Sequence, residues 1–200
     1  IDASKIEVYV KDGTVTVSGE VPTYHDLTMA RAAVWGISGV IDVIDNLAVS
    51  YITLAPLPND TEIQKRIQNI YEWSPVLDSK KMDISVSSGV VTLKGNVDSY
   101  WKKTFAEEKI AGLLGILWID NKIAVVPTGD VMDETIARNI EAALERDARV
   151  NEEKVTVSVN DGIVTLTGNM PLWSARYAAQ LDASFTEGVI SVRNKLSPSV

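Results

Sequence analysis

The residues equipped for chemistry are few. One histidine, His25, and no cysteine leave almost nothing from which to build a zinc site or a histidine-assisted nucleophile. Carboxylates are plentiful, but they stand where structure needs them. Asp60, Asp130 and Asp133 fall near helix starts, with Asp60 and Asp133 placed as N-caps; Glu107 and Glu108 lie in a helical stretch, and Asp12 and Asp161 precede turn glycines. No acidic pair recurs in an apolar surround, as a general acid and base would need. The chain therefore reads as a non-enzyme with no metal and no cofactor.

Aromatic side chains are more regular. Tyr24, Tyr100 and Trp173 each stand five residues beyond a glycine at the start of a helical stretch, with Trp101 beside Tyr100. A ring in that place can lie at a lipid headgroup layer or anchor a protein partner, so these four are the candidate membrane or partner contacts. It can also pack back over a sheet end, and the gain from burial favours that use. Leu117 and Trp118 open the last strand of the second repeat and are the candidate inter-module contacts; Ile41 and Ile44 raise the same question in the first. Lys5, Lys81 and Lys154 are equivalent, and Lys122 and Lys195 follow equivalent asparagines. They can meet lipid phosphate or stand as solvated edge lysines, and the acidic balance favours the second.

The elements that hold these residues are written three times. Asp161 to Gly168 reads D-G-I-V-T-L-T-G, matched by Asp12 to Gly19 and by Ser88 to Gly95. Each copy is a tight turn feeding a half-buried strand, and an alternating run upstream of each supplies the other strand of a β-hairpin. Gly89 and Gly162, Gly95 and Gly168, Gly115 and Gly188, and Asn121 and Asn194 share one offset. The first repeat follows through Gly13, Gly19, Gly39 and Asn46, with one extra residue before the asparagine.

Around the hairpins, helices are expected at Tyr24 to Trp35, Tyr100 to Leu113 and Trp173 to Phe185, each followed by a third strand. Leading helices are expected from Asp60 and Asp133, where apolar residues recur at helical spacing. The fold class is thus α+β: three tandem small modules, each a three-stranded mixed sheet with two helices in the order helix-strand-strand-helix-strand. The first module, residues 1–54, lacks its leading helix; a linker at 55–59 precedes the second at 60–127 and the third at 128–200. The first sheet then has an uncovered face, to be closed by a neighbouring module, a second chain or upstream sequence.

A net charge of −8 and a pI near 4.7 argue against a nucleic-acid partner and against purely electrostatic adsorption to anionic lipid. No apolar run is long enough to span a bilayer and no signal peptide is visible. The start at Ile1 fits a processed protein or a fragment. Modules of this size bury only about 60% of the surface their unfolded chains expose, so contacts between them should matter.

The pattern V-x-V-x-D-G-x-V-T-L-x-G, an amphipathic helix, then G-V-x-x-V-x-N, resembles the BON domain family. It is carried by Val157, Val159, Asp161, Gly162, Val164, Thr165, Leu166, Gly168, Gly188, Val189, Val192 and Asn194, and by their counterparts in the other two repeats. The second repeat departs from it by Ser88 in place of the turn aspartate. The resemblance implies a bacterial envelope or stress protein, often periplasmic, like osmotically induced proteins built from tandem BON domains, although some relatives are cytoplasmic. It implies association with phospholipid membrane surfaces or envelope proteins and brings no catalytic motif. The alternative is a protein-protein scaffold, self-association included, without lipid affinity.

Overall fold

The computed structural model describes residues 3–37, 39–51, 56–170 and 172–197. The expected end of the first module at Leu54 and the first linker residue, Ala55, lie outside them. The chain separates into two compact units, residues 1–34, 42–97 and 102–124 in one and residues 35–41, 98–101 and 125–200 in the other.

Repeat one contains β1 (Ile6–Lys11), β2 (Thr14–Val21), α1 (Tyr24–Trp35) and β3 (Asp42–Val49). Repeat two contains α2 (Asp60–Glu72), β4 (Met82–Ser87), β5 (Val90–Val97), α3 (Tyr100–Ile110) and β6 (Trp118–Val125). Repeat three contains α4 (Asp133–Arg146), β7 (Val155–Asn160), β8 (Ile163–Asn169), α5 (Trp173–Ser184) and β9 (Ser191–Ser197). A one-turn 3-10 helix runs directly into the first strand of every repeat, at Ala3–Lys5, Ser79–Lys81 and Glu152–Lys154.

Each repeat folds into its own three-stranded sheet with the second strand of the hairpin in the centre. That strand runs antiparallel to its hairpin partner, and in repeats one and three it is shown parallel to the last strand. A helix between two strands returns the chain to the same end of the sheet, which makes the last pairing parallel. The turns have both central residues at positive φ, 49° and 76° at Asp12-Gly13, 50° and 75° at Ser88-Gly89, and 50° and 71° at Asp161-Gly162. Ser88 therefore holds the same backbone as the aspartates it replaces. This twist suits the right-handed twist of the paired strands, and glycine adopts the second position without strain.

Gly19, Gly95 and Gly168 lie inside the central strands rather than where those strands stop. A Cβ there would stand 2.0, 2.0 and 1.9 Å from the carbonyl oxygens of Lys5, Lys81 and Lys154. Close passage of the backbone where the 3-10 turn enters the first strand requires glycine.

The cores follow the alternation of the strands. In repeat three Val164 and Leu166 of β8 meet Ile136, Ile140 and Leu144 of α4 and the alanine face of α5, with Val189 and Leu196 closing the edge. Each buried Ile or Leu contributes about 1.5–3 kcal/mol relative to exposure. In repeat two Ile63, Ile67 and Tyr71 of α2 are the buried positions, and the Tyr71 hydroxyl donates to the Ala106 carbonyl at 2.8 Å.

Repeat one has the hairpin and α1 without a leading helix, as its sequence indicates. Its first strand shows the result. The register places Val8 opposite Val17 and Val10 opposite Val15, so both valines share the face on which Val15 and Val17 are buried. Yet Val8 is 58% and Val10 61% exposed, whereas Ile84, the counterpart of Val8 in repeat two, is 6% exposed.

Candidate functional site

The polar groups shared by the repeats are structural clamps. Asn59, not Asp60, caps α2: its side chain accepts from the Glu62 N–H and Glu62 reaches back to the Asn59 N–H. In α4 the cap position is Met132, which makes no side-chain cap bond. The expected N-cap role of Asp60 and Asp133 is thus corrected, because their carboxylates face the hairpins instead. Asp60 accepts from the N–H groups of Ser88 and Gly89 at 2.7 and 3.0 Å, and Asp133 from those of Asp161 and Gly162 at 2.7 and 2.9 Å. Two adjacent N–H donors on a left-handed turn form a concavity suited to an anion. The leading helix supplies the anion and pins itself to the hairpin.

A second clamp joins the last strand to the second helix. Asn121 Nδ2 donates to the Lys103 carbonyl at 2.9 Å and to Glu107 at 3.2 Å, and Asn194 Nδ2 donates to the Arg176 carbonyl at 3.0 Å and to Gln180 at 3.2 Å. Each asparagine oxygen accepts the N–H two residues on, from Ile123 and Leu196. In repeat one the residue in this place is Asp45, not Asn46. Asp45 pairs in register with Val17 as Asn194 does with Leu166, and its side chain accepts from the Leu47 N–H at 2.9 Å. Arg31, at the place of Glu107 and Gln180, donates to Asp45. The extra residue inferred from sequence disappears; a charged pair replaces two neutral or half-neutral ones.

The helix-start aromatics are placed unequally. Tyr24 is 4% exposed. Within the first unit its ring meets Trp118 edge-on at 5.7 Å, and its hydroxyl donates to Glu107 at 3.2 Å. Burial, aided by the negative charge of Glu107, pushes the Tyr24 hydroxyl up to about 12. Arg31 stands 5.7 Å from the Trp118 ring and the His25 N–H donates to the Ala111 carbonyl at 3.0 Å. Trp118 thus lies where α1 of repeat one meets repeat two, while Leu117 lies over Gly89 and is 43% exposed. Tyr51, beyond β3, donates from its hydroxyl to the Ile116 carbonyl, and burial raises it to about 12.

Within the second unit, Tyr100 is half-buried against the core of repeat three. Trp101 stacks on Phe185 with ring centroids 5.9 Å apart and planes 21° from parallel. Trp173 starts α5, but its side chain lies outside the described residues. Phe185, just past α5, is 65% exposed, and Leu172 and Tyr177 on either side of the α5 start are exposed as well. Sequence reasoning passed over Phe185 because a single phenylalanine beyond a helix end carries no periodic signal.

Other ionisable clusters are local. Arg149 grips Asp147 through hydrogen bonds and holds its carboxyl down at about 2, while burial pushes the Asp182 carboxyl above its ordinary value. An open cleft of about 590 Å³ runs past Asp130, Asp133, Asp161 and Ile190. Among the described residues no cluster of His, Cys, Asp and Glu could hold a metal ion, and no helix is long and apolar enough to cross a membrane.

Three small mixed sheets, each with a D-G or S-G hairpin, a crossover helix and an Asn or Asp clamp, define a tandem-repeat α+β protein. The chain belongs to the BON domain family, whose pattern matches residues 1–51, 59–127 and 132–197. It is similar to the osmotically-inducible protein Y of Escherichia coli (strain K12), 32% identical over 125 residues, which are 58% of this chain and 62% of that protein. The match therefore spans less than two thirds of the relative's length. Among solved structures it is similar to the C-terminal domain of CdsD, a structural protein of the type III secretion system of Chlamydia trachomatis. That similarity covers 98% of this chain and 91% of the other, at 15% identity and a TM-score of 0.29.

Proposed function

We propose that the chain is a non-enzymatic binding protein of a bacterial envelope, serving under osmotic stress by associating with phospholipid membrane surfaces. Family membership and the osmotic induction named for the E. coli relative support the setting. The lipid contact rests on one observation, the stacked Trp101–Phe185 pair with Phe185 65% exposed. An exposed aromatic pair gains by entering the headgroup and acyl boundary. With a net charge of −8 the chain gains little from anionic lipid, so apolar insertion carries the binding.

The test is flotation of the purified chain with zwitterionic and with anionic vesicles at low and moderate salt. The expected result is flotation with both, little changed by salt and lost in Phe185→Ala and Trp101→Ala. Absence of flotation in every condition removes lipid as the ligand. Flotation that survives both substitutions moves the contact elsewhere, for which Trp73, 87% exposed beyond α2, is the first candidate.

A second reading, a protein-binding scaffold without lipid affinity, is favoured by the open apolar face at Val8 and Val10. Retention of native partners with no vesicle binding would select it.

A further inference from the structure

Each repeat places the first strand of its hairpin at one edge of its sheet, so β1, β4 and β7 are all edge strands. An edge offers a row of backbone N–H and C=O groups to a second strand, and the side chains it carries decide which strand fits. Lys11 and Thr14 flank a two-residue turn and exchange both of their hydrogen bonds; the alternation of the antiparallel ladder gives Tyr9 and Glu7 the same inward setting, opposite Thr16 and Ser18. Val8 and Val10 therefore aim their backbone groups at the open side.

The three edges differ in what lies on the solvent face. In β4 that face carries Asp83, Ser85 and Ser87, and in β7 Thr156, Ser158 and Asn160. In β1 it carries Glu7, Tyr9 and Lys11, with Tyr9 65% exposed and the whole strand from Glu7 to Lys11 open to solvent. Across the hairpin Glu7 stands opposite Ser18 and Lys11 opposite Thr14, so neither has a charge directly facing it on β2.

A strand with an acid and a base equidistant from its middle is complementary to itself. Turned antiparallel about Tyr9, β1 of one copy sets Glu7 opposite Lys11 of a second copy and Lys11 opposite its Glu7, with Tyr9 opposite Tyr9 and Val8 opposite Val10. The backbone agrees with this register. Val8 of each copy and Val10 of the other become hydrogen-bonded pairs on both sides of the axis, and the tyrosines meet at the closer, non-hydrogen-bonded position. Parallel strands in register would set Glu7 beside Glu7 and Lys11 beside Lys11. A slide of two residues in the antiparallel arrangement sets Lys11 against Lys5 in one direction and Glu7 against the turn at Gly13 in the other. The same rotation opposes Asp83 to Ser87 in β4 and Thr156 to Asn160 in β7, with no charge pair in either.

We propose that two copies of this chain associate through β1, antiparallel about Tyr9, joining their first sheets into one six-stranded sheet in the order β3-β2-β1-β1-β2-β3. The contact is the same patch on both copies, so it closes on itself and stops at a dimer. It uses the edge of β1 and is independent of the lipid contact at Phe185. One strand a side is a smaller contact than the roughly 800 Å² per partner of a standard interface, so the dimer is weak and fills only toward about 0.1–1 mM.

Sedimentation equilibrium of the chain at loadings from about 10 µM to 1 mM should show a mass rising from 21.8 kDa toward twice that value. Glu7→Lys and Lys11→Glu each set two like-charge pairs across the axis, and each alone should weaken the dimer at least about tenfold. Mixed one to one, the two variants should associate at least as tightly as the parent, since each strand then carries one sign and meets the other. Recovery in the mixture also shows that both variants are folded.

The absence of cysteine permits a check of the register. Tyr9→Cys should close a disulfide between copies on mild oxidation at about 0.5 mM, because residues on the axis stand about 4.5 Å apart between Cα atoms. Glu7→Cys should not, its two copies lying four residues out of line. A mass that stays at 21.8 kDa through the whole concentration range overturns the proposal. So does a dimer that both charge reversals leave intact, or one that the mixture fails to restore, either of which gives self-association to another surface. Cross-linking of Glu7→Cys as readily as Tyr9→Cys contradicts the pairing about Tyr9.

Discussion

Val8 and Ile84 occupy the same place in two copies of one fold, and differ from 58% to 6% exposed. The hairpins around them match in turn conformation, in register and in the glycine that admits the neighbouring backbone. What differs is the helix above. Strand pairing and turn chemistry therefore form each hairpin locally, whereas burial of its first strand depends on a separate element. A module this small gains its stability from such coverage, so repeat one should be the weak point.

The largest expected effect comes from shortening the two counterparts. Ile84→Ala should destabilise the chain by about 2–4 kcal/mol through lost burial and a residual cavity, while Val8→Ala should change stability by less than about 0.5 kcal/mol. Denaturant unfolding of the two variants measures this, and equal losses would break the comparison. Next comes the helix-to-turn clamp. Asp133→Ala leaves the Asp161 and Gly162 N–H groups without their carboxylate and should cost about 1–2 kcal/mol, whereas Asp12→Ala, whose turn has no such clamp among the described residues, should cost only its local turn preference.

The hairpins, the helix starts at Tyr24, Tyr100 and Trp173, and the missing leading helix were legible because each is written locally, in period-two alternation, turn glycines and apolar spacing. The clamps were not. Asp60 looks like a cap when read beside its neighbours, and only its distance of 28 and 29 residues from Ser88 and Gly89, repeated at Asp133, betrays a contact across the fold. Asn46 drew attention because its type matches Asn121, yet the strand register requires a residue in line with Val17, and Asp45 with Arg31 does the same work by a different pairing. Tyr24 and Tyr100 share one sequence position, but what each touches depends on the neighbouring repeat, which no local pattern encodes.

Alkaline titration sharpens the contrast between that buried contact and the surface. Tyr24 and Tyr51 are raised to about 12 by burial, so the folded chain keeps their protons where an unfolded chain, at about 10, has begun to lose them. The stability they contribute is full below about pH 10 and is lost as pH rises toward 12. Thermal midpoints should fall over that interval, and the fall should be shallower in Tyr24→Phe. The smallest effect concerns register: Asp45→Ala should cost about 1 kcal/mol through loss of the Arg31 pair and the Leu47 N–H acceptor, and Asn46→Ala close to nothing. The reverse order would restore the alignment that the strand pairing replaces.

The most direct measurement is thiol labelling of Val8→Cys and Ile84→Cys, each the single cysteine in the 200-residue chain. The expected result is a Val8→Cys thiol that reacts nearly as fast as a free peptide thiol and an Ile84→Cys thiol slower by at least about a hundredfold, since it reacts only when repeat two opens. Equal rates at the two positions would contradict the claim that one repeat stands open where its siblings are closed.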